Sequence, residues 1–244
     1  MMEPTGISSH SSVSPAASRP ATKAAQREAS TEALLDAALG LFVSQGYQHT
    51  SVEQIATRAR LTKGSVYFYF RSKSALLMRL LDRVEEVVVE AMEARLADAG
   101  PAAPFGRARD RLVALLHGQA VLGVERWEHV LLLILMSLEF QGRRDEIEAR
   151  VKGIYRRLYV ALEGIIAQGK SAGEFRADVA TREQAAIVVA AHDGTFLEWY
   201  RRRADLDGPE LVKALRVAML GALDRRGAER DDEVEAESRE EKTS

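Results

Sequence analysis

Residues 50–73 read TSVEQIATRARLTKGSVYFYFRSK, and this stretch decides the fold. Thr50 followed three positions later by Glu53 has the spacing of a capping box, in which two side chains close the free amides at a helix start. Thr62 is placed to cap a second helix in the same way. In the first helix Val52, Ile55, Ala56 and Ala59 recur at intervals of three and four, which gives one apolar stripe and leaves Glu53, Gln54, Thr57 and Arg58 wet. Leu61, Val66 and Phe70 cover that stripe from the turn and the second helix. Lys63, Gly64, Ser65, Tyr67, Phe68 and Tyr69 then point elsewhere. The pattern is two short helices about a tight turn, followed at once by another helix start.

Charge gathers at the same place. Between Ser51 and Lys73 stand Arg58, Arg60, Lys63, Arg71 and Lys73 against Glu53 alone, a local excess of +4 in a chain of formal net charge −2. A helix lying in the major groove uses hydroxyls, an ammonium and aromatic edges against bases, methyl groups and phosphates, and the second helix exposes that inventory. The competing reading of the segment by itself is a solvated helix face with aromatics in the core.

The flanks choose between the two. Upstream, REASTEALLDAALGLFVSQGYQHTSVEQIA places Leu34, Ala38, Leu41 and Phe42 on one helix face ended by Gly46 and Tyr47, and downstream YFYFRSKSALLMRLL leads into a long helix. The order AA, LF, GY, TSV, IA, A, LTKGSVYFYF, K, LL over residues 27–85 is similar to the N-terminal domain of the TetR (tetracycline-repressor-like) family of bacterial transcriptional regulators.

The resemblance implies a double-stranded DNA partner and a role for each matching position. The second helix becomes the recognition helix, with Thr62, Lys63, Gly64 and Ser65 at its N-terminus, closest to the DNA. Tyr67 and Tyr69 match positions that bond phosphates, Phe68 one that reaches thymine methyls, and Lys73 the lysine that clamps a backbone phosphate; Thr50 and Ser51 do so from the start of the first helix. Arg60 departs from the pattern, because relatives often carry Gly in this turn; it is strained if its φ is positive, and it can add a phosphate contact.

The remainder of the 244 residues is expected to be all-α, with about nine helices in total, since helical periodicity dominates and prolines are few. Residues 1–22, rich in Ser, Pro and Ala, are expected to form a disordered arm, with a DNA contact by Arg19 and Lys23 as the alternative to a plain tail. Residues 23–72 form the helix-turn-helix domain, 73–226 a larger helical domain, and 227–244 an acidic solvated tail. The fourth helix is expected from Lys73 to about Ala97, then a break at DAGPAAPFG. Further helices are expected from Arg107 to Leu122, Trp127 to Gln141, Arg143 to Ala172, Thr181 to Arg203 and Pro209 to Arg225. The apolar run from Val130 to Leu138, broken only by Ser137, is too short to span a bilayer and reads as a core helix. The absence of cysteine excludes disulfides, thiolate catalysis and Cys-based metal sites and fits a cytoplasmic location.

AAIVVAAHDGTFLEWY is apolar nearly all round, and LVKALRVAMLGAL carries a broad apolar stripe, so both need more than one packing partner. In the resembled family the two C-terminal helices build a four-helix dimer bundle, which implies a homodimer on a pseudo-palindromic operator. The family also implies a small-molecule effector whose occupancy opposes DNA binding. Candidate wall residues are His117, Trp127, Leu131, Leu135, Met136, Glu139, Phe140, Tyr155, Tyr159, His192, Asp193, Phe196 and Trp199, a set suited to a largely apolar ligand with a polar handle. No cofactor, metal or membrane partner is expected. Enzymatic chemistry is disfavoured: His117, Glu139, His192 and Asp193 lie on three helices without an i, i+4 ligand pair, and no phosphate loop or nucleophile motif accompanies them. A repressor is the expected function, with an activator or an effector-independent DNA-binding protein as the alternative.

Overall fold

The computed structural model describes residues 22–98 and 106–224. Among them the protein is all helical, apart from one isolated antiparallel bridge between Phe175 and Asp224. Of the expected N-terminal arm only Thr22 is described; Arg19, residues 99–105 of the expected break, and the acidic tail lie outside the described residues.

Helix α1 (Lys23–Gln45) is capped by Thr22, whose hydroxyl accepts from the Ala25 amide, and ends at Gly46, where φ is +84°. Helices α2 (Val52–Arg58) and α3 (Lys63–Tyr69) follow, with Ile55, Ala56 and Val66 turned inward. The capping box expected at Thr50 and Glu53 sits one residue later. The Ser51 hydroxyl accepts from the Gln54 amide and the Gln54 side chain accepts from the Ser51 amide. Thr50 is instead buried and donates to the Gly46 carbonyl at 2.8 Å, so the α1–α2 loop has taken its hydroxyl.

Helix α4 (Lys73–Glu85) continues through a π-helical turn (Glu86–Glu90) into α5 (Ala91–Asp98), forming one rod. Then come α6 (Ala108–Glu125), α7 (Trp127–Glu139), α8 (Glu146–Ser171), α9 (Thr181–Arg201) and α10 (Gly208–Leu223). Counting the rod once, the described residues hold nine helical bodies. Helix α8 starts three residues later than expected because Gly142 and Arg144 adopt positive φ. The Glu148 carboxylate accepts from both of their amides, and Asp145 caps the helix. The Lys152 ammonium, followed by these two amides, holds the Glu148 carboxyl down to about 2. Another carboxylate, that of Glu174, accepts from the Ala108 and Arg109 amides and so closes the start of α6.

The core begins where α1, α4 and α7 meet. Leu34, Leu35, Phe42, Leu76, Leu77, Leu80 and Leu81 are fully enclosed, each such side chain contributing about 1.5–3 kcal/mol of burial. Helix α7 carries the apolar run into the centre, with Val130 to Ile134 and Met136 buried. His129 is buried beside them. Burial, with the nearby charges of Arg83 and Arg126, pushes its pKa down to about 4 against the opposing pull of Asp36.

Candidate nucleic-acid interface and effector chamber

The α2–α3 unit keeps its apolar side inward and presents its chemistry outward. At the start of α3 the Thr62 hydroxyl accepts from the Ser65 amide at 3.1 Å and lies 2.8 Å from the Ser65 hydroxyl, so both oxygens sit at a helix N-terminus, where free amides carry partial positive charge. Lys63 is exposed and pairs with Glu53, which raises its pKa and lowers that of the carboxylate. Gly64 is exposed as well, and Tyr67 and Phe68 are 48% and 71% exposed. Tyr69 is half-buried and meets Phe68 edge-on at 5.1 Å. Arg60 has φ +57°, the left-handed conformation that favours Gly, which explains why an Arg is unusual in this turn.

Lys73 and Thr50 behave differently from the rest of the expected DNA contacts. The Lys73 ammonium donates to the Tyr47 and Thr50 carbonyls at 2.8 and 2.9 Å and lies 4.1 Å from the Tyr47 ring centre. Burial lowers its pKa, although Glu139 opposes the shift. An ammonium has three donors, and two of these are engaged inside the loop. Ser51, by contrast, is exposed beside the buried Thr50.

Below this head, the π turn, α5, α6, α7, α8 and α9 surround a chamber of about 40 Å³ with a largely aliphatic wall that includes Val88, Met92, Leu115, Leu116, Ile134 and Val188. Tyr155, His192 and Asp193 give it a polar corner, where the Tyr155 hydroxyl donates to Asp193 at 3.2 Å and His192 Nδ1 lies 3.2 Å from the other carboxylate oxygen. Burial and the neighbouring Asp193 charge push the Tyr155 hydroxyl well above the ordinary phenol range. Tyr155 and Asp193 also border an open cleft of about 1030 Å³ between α7, α8 and α9, which adds Met136, Phe140 and Tyr159, the cations Lys152, Arg156 and Arg182 and the carboxylates Glu148 and Glu163.

Of the thirteen expected wall residues, Tyr155, His192 and Asp193 reach the chamber and Met136, Phe140 and Tyr159 the cleft, while Phe196 and Trp199 line a neighbouring groove between α6, α9 and α10. The other five stand apart from these spaces. His117 is exposed, Leu131 belongs to the closed core, Leu135 and Glu139 are half-buried on α7, and Trp127 stacks on Tyr200 with Arg203 over its ring at 4.4 Å. A choice of aromatic and titratable side chains passed over the aliphatic wall and Gln119. Among the described residues no group of three or more His, Asp or Glu is placed to hold a metal ion, and no helix is long and apolar enough to cross a membrane.

Comparison with known proteins agrees with this geometry. The sequence pattern described as bacterial regulatory proteins, tetR family, matches residues 34–80, which run from the α1 core through α3 into α4. The chain is 28% identical over 197 residues to the HTH-type transcriptional regulator TcmR of Streptomyces glaucescens, covering 78% of this chain and 80% of that one. Among solved structures it is similar to the MbdR regulator from Azoarcus sp. CIB, at 47% identity and a TM-score of 0.71, covering 80% of this chain and 98% of that one. The regulator FadR from Bacillus subtilis, solved in complex with stearoyl-CoA, has the same fold at 21% identity and a TM-score of 0.62, with 79% and 98% covered. With an exposed α3 carried on a TetR-like helical frame, this chain belongs to the tetR family of bacterial DNA-binding transcriptional regulators.

Proposed function

We propose that the protein is a homodimeric repressor that reads a pseudo-palindromic operator with α3 and leaves it when a small, largely apolar effector with a polar end occupies the chamber. The observation that carries the reading is the outward face of α3, where Lys63, Ser65, Tyr67 and the 71% exposed Phe68 stand together on a positively charged unit. An aromatic side chain held that far into water has a use that folding does not supply. Ser51, Arg60, Thr62, Gly64 and Tyr69 complete the surface offered to the duplex, and the third donor of Lys73 faces the same task. Residues 23–72 act as the reading domain and 73–226 as the sensing and dimerising one.

Dimerisation through α9 and α10 is supported by what they leave uncovered. Helix α10 is rich in Leu, Val and Met, yet only Leu215 and Leu223 are buried; Val217 and, on α9, Ile187 are 64% and 60% exposed. A second copy covers them and sets two α3 helices about one DNA turn apart. For the effector, the aliphatic chamber suits an apolar body and the cleft, where Lys152, Arg156 and Arg182 stand among Glu148, Glu163 and Asp193, suits a polar end. Acyl-CoA thioesters, the ligand class held by the Bacillus subtilis regulator, are therefore among the first compounds to offer it. Repression is the outcome that the family resemblance favours over activation. No enzymatic step is assigned to the chain.

Selection from random duplex DNA tests the reading. The wild type is expected to enrich two inverted half-sites about 10 base pairs apart, centre to centre, or a multiple of that. Lys63→Ala and Ser65→Ala are expected to change the preferred bases, each good base contact being worth about 1–3 kcal/mol of discrimination. Recovery of one identical site by all three proteins, or of no site by the wild type, overturns it.

A further inference from the structure

The rod that carries the head contains one irregularity, the π-helical turn at Glu86–Glu90. Such turns are rare, occur as single insertions in α-helices and are frequent at functional sites. Two groups from other helices grip it. Gln119 of α6, only 6% exposed, donates from its Nε2 to the Val88 carbonyl at 3.1 Å. Arg157 of α8 donates to Glu85 at 2.7 Å, before the turn, and to Glu93 at 3.1 and 2.5 Å, after it.

The second grip depends on the turn. At about 100° per residue, positions 85 and 93 of an unbroken α-helix stand about 80° apart, whereas with one residue absorbed by the turn they stand within about 20°. Arg157 can therefore hold both carboxylates only while the turn persists. Its partner Glu85 lies deep in this network. Burial raises the Glu85 pKa, and the bonds and charges of Arg150 and Arg157 outweigh that and leave it lowered.

The chamber adds the link to occupancy. Val88, Met92 and Gln119 all line it, and at about 40 Å³ it is far below the roughly 300–1,000 Å³ of ordinary ligand pockets. A ligand enters only by moving the wall.

We propose that Gln119 is the positioning residue through which chamber occupancy reaches the DNA-reading head: its bond to the Val88 carbonyl holds the π turn, and a ligand body that displaces the amide returns the rod to α register. Helix α5 then turns by about 100° about the rod axis. Glu93 leaves Arg157, the hydrogen-bonded hold of α8 on the rod shrinks to Asp82 and Glu85, and α4 is free to pivot together with the head it carries. This rests on the effector reading above, with Gln119 as the element that reading lacked.

The test uses the full-length chain carrying Gln119→Met, which keeps side-chain length and removes the donor. Gln119→Asn, whose amide is one methylene too short to reach, serves as the second variant. Amide hydrogen exchange at residues 88–93 is expected to rise on the order of tenfold in either variant, with the exchange of the α1 core unchanged. The dissociation constant for the duplex returned by selection is expected to rise on the order of tenfold as well. Deleting the exposed Glu86 in the Gln119→Met protein places Glu85 and Glu93 seven apart in a plain α-helix and is expected to restore duplex affinity. Wild-type exchange at 88–93 in both variants, or failure of the deletion to restore affinity, overturns the proposal. Exchange needs no DNA, so a protein that ignores every duplex refutes the regulator reading while the exchange result still decides the role of Gln119.

Discussion

Along α4 the rod buries Leu76, Leu77, Leu80, Leu81 and Val84 almost completely, whereas among the described side chains of α5 only Met92 is buried and the polar grip comes from Glu93. One half of a continuous helix is thus welded chiefly by apolar contact, and the other is held by less of it, Met92 and the half-buried Leu96, together with the ion pair of Glu93. Apolar packing has no preferred direction but is lost wholesale when a void opens. Ion pairs at a partly wet surface are weak and can be exchanged for water. The head therefore travels with α4 as a unit, and adjustment is left to the stretch beyond the π turn.

Leu80→Ala is the harshest way to break that contrast. A fully enclosed Leu in the weld is expected to lose about 2–5 kcal/mol on truncation, measured by urea unfolding, and to take DNA binding with it. A smaller effect is expected from acid, acting on the same weld through His129. Its folded pKa of about 4 lies below the ordinary 6.5, so the unfolded chain binds the proton more readily in that range. Stability contributed by the neutral ring is complete above pH 6.5 and falls as pH drops from there through 4. His129→Leu is expected to flatten that part of the stability–pH profile, and a profile identical to the wild type would remove His129 from the weld. The mildest is Arg157→Met, across the π turn. It is expected to cost about 0–1 kcal/mol in the same unfolding assay, because the guanidinium is partly exposed. A cost comparable to Leu80→Ala would erase the distinction between the two halves.

The same division marks what the amino-acid order reveals. The stripe of Val52, Ile55 and Ala56 and the cap at Thr62 are local signals, settled within a few residues, and the head follows from them. The start of α2 slipped by one residue because Thr50 with Glu53 and Ser51 with Gln54 are equally good local pairs. The choice is made by the end of the preceding helix, where the Thr50 hydroxyl donates to the Gly46 carbonyl and accepts from Gln45 Nε2. The chamber is less legible. Val88 and Gln119 stand 31 positions apart and meet only after α6 has folded back on the rod, and neither has a side chain that advertises a ligand. The π turn itself is silent, since EVVVE fits an ordinary helix pattern and the extra residue is forced by tertiary partners. The start of α8 is hidden for a similar reason: Glu148 reaches back to fasten the amides of Gly142 and Arg144, whereas periodicity alone begins the helix at Arg143.

Phe140, at the end of α7, is a wall of the wide cleft and also the seat on which the Tyr47 ring rests edge-on, 5.3 Å away at the corner between α1 and α2. The corner and the cleft thus share a bearing surface. A lineage that enlarged or shrank position 140 to suit a new ligand would tilt the reading head in the same step. Under the proposed function, ligand preference and operator preference are mechanically coupled at this residue, and compensating changes are expected at position 47.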